Sequence, residues 1–246
     1  ANEAKAKERE GEFLFTINEP SITPFLKYSS RRDLRERLYK MYRSQCTEGE
    51  YNNITVLKEI ANARLAIAQQ LGYKTFADYQ LATKMAGDTK HVYDMFEKLR
   101  AAYVPVAKAE LKRLEAFAAK LEGKKITLMP WDHSYYSTKE KDALYNVDDE
   151  ALRPYFELNS VVNGIFGLAT RLYGIHFVEN YNAQVYHPDV KVYDVTDGEG
   201  NFMGMLYTDF FPRDTKSAGA WMTSFRDEYV DENGNEVRPL VTLVMN

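Results

Sequence analysis

Asp88-Thr89-Lys90-His91-Val92-Tyr93-Asp94-Met95-Phe96 opens the longest periodic stretch of this 246-residue sequence, and the pattern holds to Leu121-Glu122-Gly123. Val92, Phe96, Leu99, Tyr103 and Val106 fall three to four apart, and Leu114, Phe117 and Leu121 continue the series. This spacing lines apolar side chains along one face of a 3.6-residue period. It predicts one helix over 88–122, about 50 Å long at about 1.5 Å per residue. Gly123 closes it, since glycine accepts the left-handed backbone found just past a helix end. Pro105 sits midway, removes one hydrogen bond and crowds the preceding turn, so a kink is expected there.

The same texture extends to either side. Leu34, Leu38, Met41 and Tyr42 share one face of a helix over 31–45. Ile54, Leu57, Ala61, Leu65 and Ala68 predict another over 54–71, stopped by Gly72. Thr75-Phe76-Ala77-Asp78 resembles a capping box with Asp in the Glu position and opens a shorter helix. Leu152, Phe156, Val161, Ile165, Leu168 and Leu172 predict a single helix over 149–173. After Gly174 the pattern changes. Asp197-Gly198 and Gly200-Asn201 separate Lys191–Val195 from Phe202–Phe211, and Asn233-Gly234 separates Ala220–Val230 from Glu236–Met245. These are two hairpin signals. The chain therefore reads as mainly α: a multi-helix body over 1–176, then a small antiparallel β-sheet over 177–246.

Composition excludes some functions. Hydrophobic content of 45% and charged content of 28% are those of a globular domain. A net charge of −4 offers no basic footprint for nucleic acid. There is no apolar run near the ~18 residues a membrane helix needs. Cys46 is the only cysteine, so no intramolecular disulfide forms. This leaves secretion open, with the cytoplasm favoured over the periplasm.

Several landmarks carry a family resemblance: Trp131-Asp132 with Tyr135-Tyr136, Tyr186-His187-Pro188-Asp189-Val190, Tyr207-Thr208-Asp209-Phe210-Phe211-Pro212-Arg213, Gly219-Ala220-Trp221, and Pro239 through Asn246. Together they resemble the segment ahead of the zinc-binding helix in the thimet-oligopeptidase (M3) family of metallopeptidases. The most similar branch is that of the bacterial peptidyl-dipeptidases, or dipeptidyl carboxypeptidases. The similarity runs over nearly the whole chain and is strongest from 131 onward. It implies a mostly helical, two-lobed fold with a deep channel. It also implies one zinc, held by a His-Glu-Phe-Gly-His helix and a further Glu, and hydrolysis of short peptides with release of C-terminal dipeptides. In that family the zinc helix lies shortly downstream of this segment, so zinc is expected in the parent enzyme and not in this chain, which is expected to be inactive by itself.

The residues agree with that expectation. The histidines are His91, His133, His176 and His187, and none is followed by a second His four residues later. Two imidazoles one helical turn apart, with a Glu between them, are what such a zinc site requires. His176 and Glu179 are three apart, but beyond the end of the helical pattern. No catalytic residue and no metal ligand is assigned here. His187 has two readings: an imidazole that contacts substrate, or part of a turn fixed by Pro188. Asp209, Arg213 and Lys216 form either a lock on the following loop or a solvated surface cluster. Ala218, Gly219, Ala220 and Trp221 are read as substrate-binding. Small residues let an extended peptide approach an edge strand, as the resemblance implies, although a tight turn into a strand would use the same residues.

The strand at Leu240–Met245 carries no charge and needs pairing partners. It is expected to leave an unpaired apolar edge and to promote self-association through 219–225 or 240–246. A different class also fits the composition: a non-enzymatic helical module that binds peptides or proteins. A His-Glu-x-x-His downstream would decide for the enzyme.

Overall fold

The computed structural model describes residues 4–5, 8–146, 149–213, 215–217 and 219–245. The helices are α1 (Glu19–Tyr28), α2 (Arg32–Arg43), α3 (Ile54–Gln70), α4 (Phe76–Leu81), α5 (Thr89–Glu122), α6 (Pro130–Tyr145), α7 (Asp149–Leu152) and α8 (Leu158–Tyr173). The strands are β1 (His176–Glu179), β2 (Lys191–Thr196), β3 (Phe202–Asp209), β4 (Trp221–Arg226), β5 (Tyr229–Val230), β6 (Glu236–Val237) and β7 (Leu240–Val244). The architecture is mainly α with a small sheet, as the periodicities predict. Two compact units form: Ala1–Ile17 with Ile22–Asn146, and Asn18–Ser21 with Val147–Asn246.

In the first unit, α5 begins where the sequence places it. The Asp88 carboxylate accepts from the His91 N–H at 2.8 Å, and Gly123 ends the helix at φ 66°. The helix continues through Pro105. Its buried contact lies at the far end, where Leu114 and Ala118 pack with Tyr135 and Tyr136 of α6. The upstream members of the apolar series, Phe96, Leu99, Tyr103 and Val106, are exposed in this chain. At α4, Thr75 Oγ1 accepts from the Asp78 N–H at 3.1 Å, which bears out the cap.

In the second unit the expected single helix over 149–173 is broken. Residues Arg153–Tyr155 form a 3-10 turn between α7 and α8. Pro154 cannot donate to a continuing helix, and the Glu157 carboxylate starts a new one by accepting from the Ser160 N–H at 2.8 Å. Phe166 of α8 then stacks on Phe177 of β1 at 4.0 Å and meets Tyr193 of β2 edge-on at 4.8 Å.

The five-stranded sheet has the order β1-β2-β3-β7-β4, and β5 pairs with β6 beyond it. Both predicted hairpins form, and one device shapes both tips. Asp197 accepts from the N–H groups of Glu199 and Asn201 and from the Asn201 side chain. Asp231 does the same with Asn233 and Asn235. Gly200 and Gly234 supply the left-handed residue in each turn, at φ 88° and 83°.

The expected antiparallel sheet is in fact mixed. β3 and β7 are parallel, with Met205 opposite Leu240 and Asp209 opposite Val244. The reason is geometric: the second hairpin docks through its second strand, so β7 lies between β3 and β4. Gly204 makes the approach possible, because a Cβ there would stand 2.9 Å from the Pro239 carbonyl oxygen. The expectation of an unpaired edge at 240–245 is therefore corrected. β7 is paired on both sides, and the sheet's edge strands are β4, beside it, and β1 at the other end.

Candidate functional site

The parallel strands β3 and β7 end side by side, and a polar cluster forms there. Asp209, the last residue of β3, is 1% exposed. After it, Pro212 turns the chain, and the Lys216 N–H donates to the Arg213 carbonyl at 3.0 Å. This brings both cations back onto Asp209. Arg213 donates to Oδ1 at 2.9 Å and to Oδ2 at 2.8 Å in a bidentate pair. Lys216 donates to Asp209 Oδ1 and to its carbonyl, both at 3.0 Å. The same ammonium reaches the carbonyls of Phe211 and Met245. Tyr186 O–H donates to Asp209 Oδ2 at 2.9 Å. The Arg213 hydrogen bonds, helped by Lys216 and Tyr186, hold the Asp209 carboxyl well below the usual carboxylate range despite its burial. Burial and the neighbouring Asp209 push the Tyr186 phenol up, so it remains a donor. With Lys216 itself only 4% exposed, the solvated reading of this cluster fails and the lock reading holds.

The cluster ties Arg213 and Lys216 back to the ends of β3 and β7, ahead of the entry into β4. Gly219 has φ 109°, a left-handed backbone that a Cβ would strain. Ala220 is exposed, and Trp221 opens β4 opposite Val244. Ala218 lies outside the described residues. Every residue of β4 is exposed, and it is the last strand at its side of the sheet. Phe225 anchors it from behind, with its ring edge-on to Tyr207 at 5.4 Å and to Tyr186 at 6.0 Å.

His187 follows Tyr186 but does not join this group. Its Nδ1 accepts from the Asp189 N–H at 3.3 Å and its carbonyl accepts from the Val190 N–H at 3.1 Å. The imidazole thus participates in the turn that feeds β2. The structure gathers Gly219, Ala220 and Trp221 at one strand entry and engages His187 in its own turn.

Among the described residues no group of three His, Cys, Asp or Glu side chains could hold a metal ion. His176 and Glu179 lie on one strand three residues apart, so they face opposite sides of the sheet. His91 is engaged by Asp88 at 2.8 Å. The described residues do not fit a zinc ion, and no chemical step through one follows from them.

Asp132, in the first turn of α6, closes the start of that helix: Oδ2 accepts from the Met129 N–H at 3.0 Å. Sequence reasoning missed its larger role. Asp132 is fully buried and takes Arg32 at 2.6 Å and Arg35 at 2.9 Å, with Arg35 itself 1% exposed. Burial pushes its carboxyl up, but Arg32, the Met129 N–H and Arg35 outweigh this and lower it. The partners lie about a hundred residues apart in sequence, so no local pattern could have paired them.

Residues 25–246 match peptidase family M3. The chain belongs to that family. It is 37% identical to oligopeptidase A of Escherichia coli over 99% of its own length and 36% of the relative's. It is 30% identical to dipeptidyl carboxypeptidase of Escherichia coli over 100% of its length and 36% of that protein's. Saccharolysin of Saccharomyces cerevisiae is 30% identical over 94% of the chain and 34% of the relative. The chain thus spans about a third of the length of the curated relatives it matches. None of its described helices is long and apolar enough to cross a membrane.

Proposed function

We propose that this chain forms part of a zinc metallopeptidase of family M3 that hydrolyses short peptides in the cytoplasm, and that β4 is where the substrate backbone lies. The observation that carries this reading is the open edge of β4. A fully exposed strand at the end of a sheet offers its outer row of N–H and C=O groups to an extended peptide, which gives affinity with little demand on side chains. Gly219 and Ala220 keep the approach to that edge clear of bulk, and Trp221 supplies a flat apolar surface at its start. The Asp209 cluster holds Arg213 and Lys216 against the ends of β3 and β7, which favours a preorganised approach to that edge. His187 contributes by fixing the turn next to Tyr186. The zinc and its general base would come from chain outside these 246 residues, and the 246 residues alone would have no turnover.

Release of C-terminal dipeptides is the cleavage mode implied by the sequence landmarks. The higher identity to oligopeptidase A than to dipeptidyl carboxypeptidase favours internal cleavage as the second reading. Mass spectrometry of the products made by the longer protein from a defined peptide set separates the two. For the edge itself, hydrogen exchange of the 246-residue chain with and without a short peptide is the test. Slowed exchange at 219–226 is expected. Protection elsewhere with none on β4 would overturn the assignment. Without peptide, the same edge would pair with a second copy, and light scattering across concentration would then show dimers that excess peptide disperses.

A further inference from the structure

The first unit contains an open cleft of about 650 Å³, bounded by the start of α2, the end of α5 and the start of α6. That volume falls within the range of about 300–1,000 Å³ typical of small-molecule sites. Four cations line it: Arg32, Arg35, Lys124 and Lys125. The carboxylates that meet them are Glu122 on the wall and Asp132 behind Arg32 and Arg35. The lining therefore carries an excess of two positive charges, in a chain whose net charge is −4. Glu122 is already occupied by the Tyr136 O–H at 3.0 Å. Burial and Glu122 push that phenol up to about 12, so it adds no negative charge.

The donor inventory is also unfilled. A guanidinium has five N–H groups. Arg35 uses three, on Trp131 O, Ser29 O and Asp132. Arg32 uses Nε and Nη2 on Asp132 and Thr127 O, and its Nη1 has no partner among the described residues. Lys124 and Lys125 likewise make no ion pair or side-chain hydrogen bond among the described residues. The guanidinium of Arg32 cannot swing away, because two of its nitrogens are held from the other side. One fixed donor pair and two adjustable ammonium groups therefore share one concave surface.

We propose that this cleft binds a compact polyanion of the phosphate or pyrophosphate class, with its oxygens taken by Arg32 Nη1 and by the ammonium groups of Lys124 and Lys125. A single carboxylate would neutralise one of the two excess charges and leave the other. A phosphate or pyrophosphate neutralises both, and its several oxygens can accept from Arg32 Nη1 and from the two ammonium groups at once. A long nucleic acid does not fit, because the rest of this negatively charged chain repels it.

The experiment is calorimetric titration of the 246-residue chain with sodium pyrophosphate and, separately, with ATP, at about 0.15 M ionic strength. Saturable binding is expected. In the Lys124→Gln/Lys125→Gln double variant the dissociation constant should rise about tenfold, equivalent to about 1.4 kcal/mol. Lys108→Gln/Lys112→Gln removes the same charge from α5 outside the cleft and should leave binding unchanged. Equal affinity for both probes assigns the site to the phosphate group alone, and tighter ATP binding assigns it to a nucleoside phosphate. The proposal is overturned if pyrophosphate does not bind, or if both double variants weaken it equally. Circular dichroism of the variants establishes that they are folded. Neither pair takes part in a packing contact of the core, so loss of fold is not expected.

Discussion

Replacing Lys216 with Met tests whether the Asp209 cluster locks the loop before β4. The ammonium group serves four acceptors: the Asp209 carbonyl and carboxylate, and the carbonyls of Phe211 and Met245. The bonds to Phe211 and Met245 are exposed, and water can replace them. The two to Asp209 are partly buried, and neither acceptor is left bare, because Oδ1 keeps Arg213 at 2.9 Å and the carbonyl keeps the Met245 N–H at 2.8 Å; each lost bond then costs its net worth of about 1–1.5 kcal/mol. Asp209 keeps Arg213 and Tyr186, so the charge is not abandoned and the larger penalty of an unpaired buried ion does not apply. The expected loss is about 2–3 kcal/mol, or a fall in Tm of about 5–10 °C for a chain of this size. Calorimetric melting gives the magnitude. Hydrogen exchange locates it, with faster exchange expected over 209–217 and at the end of β7, and little change in α5 or α6. A Tm within about 2 °C of the parent, with unchanged exchange at 209–217, would refute the lock.

Asp132→Asn removes the charge that Arg35 faces in full burial, and a denaturant midpoint should report a loss of about 3–5 kcal/mol. Gly204→Ala places a methyl group 2.9 Å from the Pro239 carbonyl oxygen, so the β3–β7 approach must open; urea unfolding should show a cost of about 1–3 kcal/mol. Asp209 gives a pH signature. Its folded pKa is depressed, so its stabilisation is complete above the unfolded value of about 3.9 and is lost as pH falls through the lower folded value. The stability gap between the parent and Asp209→Asn should therefore be constant from neutrality to about pH 4 and narrow below it. A gap that stays constant below that point would contradict the assignment.

The elements themselves were legible because their signals are local. Asp88, Thr75 and Gly123 mark helix ends through hydrogen bonds and backbone angles reaching at most a few residues. The two Asp-x-x-Gly-Asn turns fold the hairpins by the same means. The break at Pro154 was overridden in the reading by an apolar series that continues across it, although proline and the Glu157 cap act on the backbone directly. Strand order was not legible. Nothing in Leu240–Val244 distinguishes a strand paired on one side from one paired on both, and the choice depends on Gly204, 36 residues upstream. Within the candidate site, Gly219 and Trp221 could be read as a strand entry. Lys216 could not be read as buried, since its burial depends on Met245 and Asp209 closing over it.

The parallel pairing of β3 with β7 also orders events in time. During synthesis the β2–β3 hairpin is complete once residue 209 has emerged, and its outer edge must then wait for the strand at 240–244. Throughout that interval β3 offers unsatisfied backbone groups and an apolar flank, the conditions under which nascent chains mispair. The turn at Asp231–Asn235 shortens the delay by folding the second hairpin on contact, so that β7 arrives already attached to β4. Slowing that turn, rather than weakening any finished contact, would be the efficient way to lower the yield of native protein while leaving its measured stability unchanged.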